Sequence, residues 1–331
     1  MPEGHSLRRL ALTFQEWFVG SKCHTSSPQG RFEQGAALLD GRIMTDAYSV
    51  GKHLFLRFDA DSDDVPFWLH VHLGLYGAWR FHAADGVGIA ESIGAPRVAS
   101  NPHTRHGDTD AATFVAASAD NPADNAQEDD DFSWQPPLPR GAVRLRIDNG
   151  QVAADLNGPN QCEVLDDGEV DTVLDRLGPD PLGPNAREKS QAEEFANRVR
   201  SSRRAVGELV MDQSVIAGVG NIYRAEGLFR QGISPMRKGA NVSRQRLLRL
   251  WDDYVDLLED GVRTGKIRTV REGDLPDAES PEMQVALEQD PEALKWYAYH
   301  RAGRPCLVCG KPISEKTVQG RRLFWCSNCQ R

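Results

Sequence analysis

Apolar residues recur at helical spacing from the start of the chain. Leu7, Leu10, Ala11, Phe14, Trp17 and Phe18 lie on one side of a 3.6-residue repeat, which predicts a helix over residues 4–19 closed by Gly20. The period then changes. From Ser26 to about Val170, short runs alternate apolar with polar residues: Arg42-Ile43-Met44-Thr45, His53 to Phe58, Trp68 to Leu73 and Val143 to Ile147. Turn residues such as Asp148-Asn149-Gly150 separate them. Many short strands with no helical text between them predict a β-sandwich. After Gly178-Pro179-Asp180-Pro181-Leu182-Gly183-Pro184 the helical period returns. Phe195, Val199, Ala205, Leu209 and Val210 mark one or two helices, Ile222 to Phe229 a third, and Leu247 to Leu258 a fourth. Residues 271–292 read as a Pro- and Glu-rich connector, and Trp296-Tyr297-Ala298-Tyr299 resumes strand character.

The pattern gives an α+β, multidomain fold. A leading helix and β-sandwich span 2–177, a linker covers 178–188, helices fill 189–270, and a cysteine-bearing hairpin module occupies 296–331. A length of 331 residues suits two domains and a small third module. The net charge of −9, taken whole, speaks against a nucleic-acid partner. Its distribution does not. Residues 187–331 carry 25 Lys+Arg against 20 Asp+Glu, whereas residues 1–186 carry 14 against 28. The basic surplus of the second half fits an anionic partner. Residues 94–139, with 8 acidic and 2 basic side chains and Pro-rich stretches, read as a long, disordered, solvated insertion. No run approaches the roughly 18 apolar residues of a membrane span, and nothing reads as a signal peptide, so a cytosolic protein is expected.

Four of the six cysteines cluster: Cys306-x2-Cys309, 16 residues, then Cys326-x2-Cys329. In a cytosolic chain this spacing predicts a closed, structural four-thiolate zinc site, with iron–sulfur ligation as the alternative. The intervening Gly310–Trp325 reads as a β-hairpin whose Lys311, Lys316, Arg321 and Arg322 suit either phosphate contact or a solvated face. Cys23 and Cys162 read as small buried residues. In Val215 to Glu226, two glycines precede Asn221 at a helix start. Glycines allow close backbone approach, and a helix N-terminus binds anions. Asn221 either caps that helix or offers its amide to phosphate. Lys52, after Gly51, is either an edge charge or a groove-facing contact. Leu75-Tyr76, flanked by Gly74 and Gly77, is either core or a wedge for an unstacked base step.

Pro2-Glu3 pairs a small second residue, which permits loss of the initiator Met, with an adjacent carboxylate. The exposed secondary amine could attack an electrophilic carbon. Its iminium has no N–H to lose and stays cationic. The dipeptide alone reads first as an ordinary chain start.

Pro2-Glu3, Gly51-Lys52, His72 to Tyr76, Leu177-Gly178-Pro179-Asp180, Gly218 to Glu226 and the four cysteines followed by Gln330 occur together and in order. The set resembles the formamidopyrimidine-DNA glycosylase / endonuclease VIII family. That resemblance implies a β-sandwich with a leading helix, a helix-two-turn-helix domain and a zinc finger. It implies damaged DNA as partner, one structural zinc, a monomer, and a cytoplasmic, nucleoid-associated enzyme in a bacterium. It also implies roles: Pro2 as nucleophile on C1′, Glu3 as general acid and proton shuttle, Lys52 as a catalytic residue that binds the phosphate beside the lesion and assists the lyase step, and Asn221 and Arg321 on the phosphates flanking a flipped nucleotide. Leu75-Tyr76-Gly77 with Trp79, and Gly4 after Glu3, resemble the endonuclease VIII branch. That branch removes oxidised pyrimidines and then cleaves the strand by β,δ-elimination. The alternatives are an oxidised-purine enzyme of the same family and a catalytically lapsed lesion binder. Two positions depart from the family pattern: Ser6, where a second acidic residue is common, and Ser214, where a lysine often precedes the glycine turn.

Overall fold

The computed structural model describes residues 2–59, 65–83, 88–90, 92–94, 134–275 and 295–331. The expected acidic insertion thus lies outside the described residues over 95–133, as does the connector over 276–292. The chain forms two compact units. One holds Pro2, Leu10–Tyr48 and His53–Asp167; the other holds Glu3–Arg9, Ser49–Lys52 and Gly168–Arg331.

The first unit is built on strands. Helix α1 (Gly4–Trp17) matches the predicted first helix; Leu10, Ala11 and Phe14 on its later half, and Phe18 just past its end, are buried. The Phe14 ring meets Trp79 at 5.0 Å and Phe81 at 5.6 Å, both edge-on. Asn149, from the predicted turn, donates its side-chain amide to the Trp17 carbonyl at 2.7 Å. That satisfies one of the orphan acceptors every helix C-terminus leaves. The strands are β1 (His24–Ser26), β2 (Ile43–Val50), β3 (His53–Asp59), β4 (Phe67–His72), β5 (Ala78–Ala83), β6 (Ser92–Gly94), β7 (Val143–Asp148), β8 (Val152–Asn157) and β9 (Gln161–Leu165). They make a five-stranded sheet, β1-β7-β8-β5-β6, and a four-stranded sheet, β2-β3-β4-β9. Buried Leu54, Leu56 and Phe58 alternate along β3 as the pattern requires, each contributing about 1.5–3 kcal/mol of burial. In register, Leu54 faces Val71 and Leu56 faces Leu69, while His53 faces His72 and Phe55 faces His70. Two short helices interrupt a stretch expected to lack them: α2 (Glu33–Leu39) and α3 (Asp167–Leu174). Each is little more than two turns and buries only one or two residues, too few for a period to emerge.

The second unit is helical: α4 (Lys189–Arg200), α5 (Val206–Leu209), α6 (Asn221–Arg230) and α7 (Arg244–Thr264). Helix α7 shows why its sequence folds so. Ser243 caps its start by accepting the Arg246 N–H, and Gly265, at φ 69°, ends it in the left-handed conformation. Leu247, Leu250, Trp251, Tyr254 and Leu258 form its buried stripe. The Pro/Gly-rich segment is pinned rather than loose: Gly178 donates its N–H to Gln213 O, and Trp251 Nε1 donates to Ala186 O.

Trp296–Tyr299 is not a strand. Its main chain turns so that the N–H groups of Tyr297, Ala298 and Tyr299 all donate to the Glu226 carboxylate, at 2.7, 2.8 and 2.8 Å. The aromatic run mimicked β-propensity, but its rings are buried for packing and its N–H groups serve one anion. The hairpin between the cysteines forms as expected, with β10 (Ser314–Val318) against β11 (Arg321–Trp325). Gln319 and Gly320, at φ 51° and 73°, make the two-residue turn whose twist suits a hairpin. Among the described residues no helix is long and apolar enough to cross a membrane.

Candidate active site and metal centre

The second unit holds Glu3, Lys52, Asn221, Arg321 and the four clustered cysteines; Pro2, Leu75 and Tyr76 belong to the first. Glu3 is fully buried. Its Oε2 accepts the Gly220 N–H at 2.9 Å and the Tyr223 N–H at 3.4 Å, and its Oε1 accepts the Ile222 N–H at 2.8 Å. These are the first N–H groups of α6, which have no partner within the helix. Of the two readings of Asn221, the cap is not what forms. Asn221 is the first residue of α6 and turns its side chain elsewhere. A carboxylate from the chain start has taken the position, because an anion suits a helix N-terminus better than a neutral amide.

Asn221 Nδ2 donates to the Arg322 carbonyl at 3.1 Å, and its Oδ1 accepts from Arg224 Nη2. Arg224, one turn further along α6, also donates to the Arg322 carbonyl at 3.2 Å. The buried pair thus ties α6 to β11 beside Arg321. Burial, then the neighbouring Arg321, pulls the Arg224 guanidinium down to about 10.

Three glycines bring the segments together. Gly4 donates its N–H to Gly218 O at 2.9 Å, and a Cβ on Gly4 would lie 2.9 Å from Gly218 Cα. A Cβ on Gly51 would meet Ala217 Cβ at 2.9 Å and Gly218 N at 3.0 Å. Gly218 itself sits at φ 86°, which favours glycine. Gln213 fixes this loop, accepting the Gly218 N–H at 2.9 Å and donating to Val219 O at 3.1 Å. Asp180 holds the β2–β3 turn, accepting the Gly51 N–H at 2.7 Å and the Leu182 N–H at 2.9 Å.

Lys52 follows in that turn. Burial brings its ammonium down to about 8, with Glu3 opposing that shift and Arg321 and Arg224 adding to it. The two departures make local contacts. Ser6 Oγ lies 3.2 Å from Nε2 of His5, whose imidazole is pushed down to about 3 by burial and by Arg9, so it is neutral. Ser214 Oγ donates to Asp212 at 2.6 Å, and the Ser214 carbonyl accepts from Arg198, so a cation reaches this position from α4.

In the first unit Leu75 and Tyr76 are not core. They are 42% and 80% exposed, at the turn that follows Gly74. Pro2 is buried. Cys23 is buried and Cys162 half-buried, and burial pushes both thiols up to about 12, leaving them inert.

The sulfurs of Cys306, Cys309, Cys326 and Cys329 lie within 4.8 Å of one another. Cys306 and Cys329 are 3.9 Å apart, and Cys309 and Cys326 3.5 Å. A tetrahedral ion with bonds of about 2.3 Å separates its sulfurs by roughly 3.8 Å, so the cluster fits one such ion. Gln330 supports it, accepting the Cys326 N–H at 2.8 Å and donating to Ile233 O at 3.0 Å.

Sequence reasoning left out Arg224, Gln213 and the structural role of Glu226. Arg224 had a signal: three residues beyond Asn221, it shares that residue's helix face. Gln213 had none.

A buried carboxylate on a helix N-terminus, beside cations and a four-sulfur hairpin, defines a class. Residues 1–122 match the formamidopyrimidine-DNA glycosylase N-terminal domain, and residues 177–272 match the formamidopyrimidine-DNA glycosylase H2TH domain. The chain belongs to the formamidopyrimidine-DNA glycosylase / endonuclease VIII family of DNA-repair glycosylases. Endonuclease 8 1 of Mycobacterium tuberculosis is 39% identical over 331 residues, covering 100% of both chains. The formamidopyrimidine-DNA glycosylase of Xanthomonas campestris is 34% identical over 199 residues, 59% of this chain and 68% of that relative. The fold resembles Lactococcus lactis Fpg in complex with abasic-site DNA (TM-score 0.66, 18% identity, 99% of each chain). It also resembles MutM (Fpg) of Thermus thermophilus (TM-score 0.63, 21% identity, 99% and 98% covered).

Proposed function

We propose that the chain is a bifunctional DNA glycosylase and abasic-site lyase that removes oxidised pyrimidines. The carrying observation is the Glu3 carboxylate fixed on the α6 N-terminus by three N–H groups, with Lys52, Arg224 and Arg321 as its cationic surroundings. That arrangement immobilises the residue next to Pro2. The base leaves the helical stack at a cost of a few kcal/mol, least for damaged pairs. Leu75 and Tyr76, exposed on their glycine-bounded turn, fill the gap.

The Pro2 nitrogen, neutral and carrying its lone pair, bonds to C1′ as the glycosidic bond breaks and the base takes a proton. Glu3 delivers a proton to the ring oxygen as the sugar opens, and the iminium forms. Loss of a C2′ proton expels the 3′ phosphate; a second elimination expels the 5′ phosphate. Lys52 neutralises charge on the departing phosphate, and Asn221 and Arg321 hold the flanking ones. In this division of labour residues 2–177 carry the chemistry, and 189–270 and 296–331 grip the backbone across the 178–188 linker. Zinc on the four cysteines is structural, since four thiolates leave no open coordination position.

The pyrimidine preference rests on the full-length likeness to an endonuclease 8 and on the sequence around Leu75-Tyr76. Incision of duplexes containing thymine glycol should exceed incision of 8-oxoguanine duplexes; the reverse ratio makes this an oxidised-purine enzyme. Borohydride with abasic-site DNA should trap a covalent adduct that Pro2→Gly abolishes. No adduct with the wild-type chain overturns the lyase reading and leaves a lesion-binding module.

A further inference from the structure

The side-chain amide of Gln213 is engaged at both its atoms within one loop. Its Nε2 donates to the Met211 carbonyl at 3.2 Å and to the Val219 carbonyl at 3.1 Å, and its Oε1 accepts the Gly218 N–H at 2.9 Å. An amide has two N–H donors on its nitrogen and lone pairs on its oxygen, so two carbonyls and one N–H fix which atom lies where. A carboxylate of the same length offers no proton to the two carbonyls, and an apolar side chain serves none of the three groups. The half-buried Gln213 thus closes the turn from Met211 to Val219 that leads into α6. Its neighbours Asp212 and Ser214 bond to each other instead, Ser214 Oγ donating to Asp212 Oδ1 at 2.6 Å.

The groups held by Gln213 adjoin the contacts of the chain start. Gly218, whose N–H is held, accepts the Gly4 N–H on its carbonyl at 2.9 Å. The Val219 carbonyl and the Gly220 N–H are opposite ends of one planar peptide group. That N–H donates to Glu3 Oε2 at 2.9 Å. A continuous run therefore leads from Gln213 Nε2–H to the Val219 carbonyl, across the rigid peptide, and from the Gly220 N–H to the carboxylate. A donor on the carbonyl strengthens donation by the N–H of the same peptide, as hydrogen bonds in series do. The fit is close. A Cβ on Gly220 would lie 2.4 Å from Glu3 Cδ, so tilting this peptide displaces the carboxylate.

We propose that Gln213 is a positioning residue for the Glu3 carboxylate, acting through the Val219–Gly220 peptide. The inference rests on the reading of Glu3 as proton donor given above. The main chain of Gln213 extends the same role to a second segment. Its carbonyl accepts the Gly178 N–H at 2.8 Å, and the Pro179 carbonyl accepts the Ala217 N–H at 3.0 Å. Asp180, next along, accepts the Gly51 N–H of the turn that carries Lys52. One residue is thus bonded to the segments that locate both Glu3 and Lys52.

The test uses the full chain, well below its melting temperature, on whichever of the thymine glycol and 8-oxoguanine duplexes the wild type cuts faster. Gln213→Met keeps the side-chain length and removes the amide. It should slow single-turnover base release about 10- to 100-fold, the cost of a misplaced catalytic group. Affinity for a duplex with a non-cleavable tetrahydrofuran abasic analogue should stay at the wild-type value. In a Glu3→Gln background the same change should add little, because the two residues act as one unit. Amide exchange at Gly4 and Gly220, read by NMR on the free protein, should quicken about two- to tenfold, the worth of one hydrogen bond. Gln213→Glu regains the Gly218 contact but not the donation to Val219, and should release base as slowly as Gln213→Met; it carries the same measurements if Gln213→Met does not fold. Wild-type base release in either variant overturns the proposal. So does an equal loss of analogue binding, a loss that multiplies with that of Glu3→Gln, or unchanged exchange at Gly220. If the wild type releases no base from either duplex, the catalytic reading fails, and exchange at Gly4 and Gly220 still decides whether Gln213 holds the peptide on which Glu3 rests.

Discussion

Helix α6 serves two buried carboxylates in different ways. Glu3 sits at its N-terminus and accepts three main-chain N–H groups. Glu226 sits within the helix and also accepts three, from Tyr297, Ala298 and Tyr299, plus the Thr269 hydroxyl. Both are completely buried. Burial and hydrogen bonding therefore do not separate the carboxylate proposed for chemistry from the one that holds the scaffold. Their neighbours do. Glu3 interacts with Lys52 and Arg224 and is bonded to Pro2, whereas the donors to Glu226 all belong to scaffold, and burial raises its carboxyl. Glu226 replaces a strand ladder for residues 296–299; Glu3 replaces a cap for α6 and remains beside the proposed nucleophile.

Substitution should break this symmetry most sharply at Glu3. Glu3→Gln should lower single-turnover base release by about 10²–10⁴-fold, the usual worth of a general acid, measured well below the melting temperature. Glu226→Gln under the same conditions should stay within a few-fold of wild type while melting earlier. If both variants lose activity in proportion to lost stability, the distinction between the two carboxylates fails. Next in size, Glu226→Ala should cost about 3–5 kcal/mol in urea unfolding, since it strands three buried N–H groups. Cys326→Ser or chelation should unfold the hairpin and weaken abasic-analogue binding; unchanged affinity would detach the hairpin from DNA recognition.

The smallest effect is on pH dependence. The Lys52 ammonium titrates near 8 in the fold and near its ordinary 10.5 when unfolded, so the unfolded chain holds the extra proton between those values. Its contribution to stability is therefore full above 10.5 and is lost as pH falls through about 8. Phosphate binding runs the other way. DNA affinity should fall as pH rises through 8 in the wild type and stay level in Lys52→Arg, which remains charged. Equal pH profiles for the two would remove Lys52 from the phosphate site.

Much of this was readable in the chain. Leu247 to Leu258 announced α7, the alternation from His53 to Phe58 announced β3, and the cysteine spacing announced the four-sulfur cluster. What failed did so for physical reasons. Helices α2 and α3 are too short to show a period. Trp296–Tyr299 looked like a strand because buried rings dominate both strands and packed turns. The cap reading of Asn221 gave way because local sequence cannot reveal a competitor as distant as Glu3, 217 residues from Gly220.

The contacts of Gly4 and Glu3 with the loop at Gly218 and the start of α6 have a bearing on how the molecule is made. They close separations of 217 and 219 residues in the case of Glu3. On the ribosome the first residues emerge early and then wait, without α6, until that helix has been synthesised. A nascent or prematurely ended chain thus holds the amine and carboxylate but not the cradle that aligns them. The part of the molecule proposed to cut a DNA strand becomes competent only after most of the chain has left the exit tunnel.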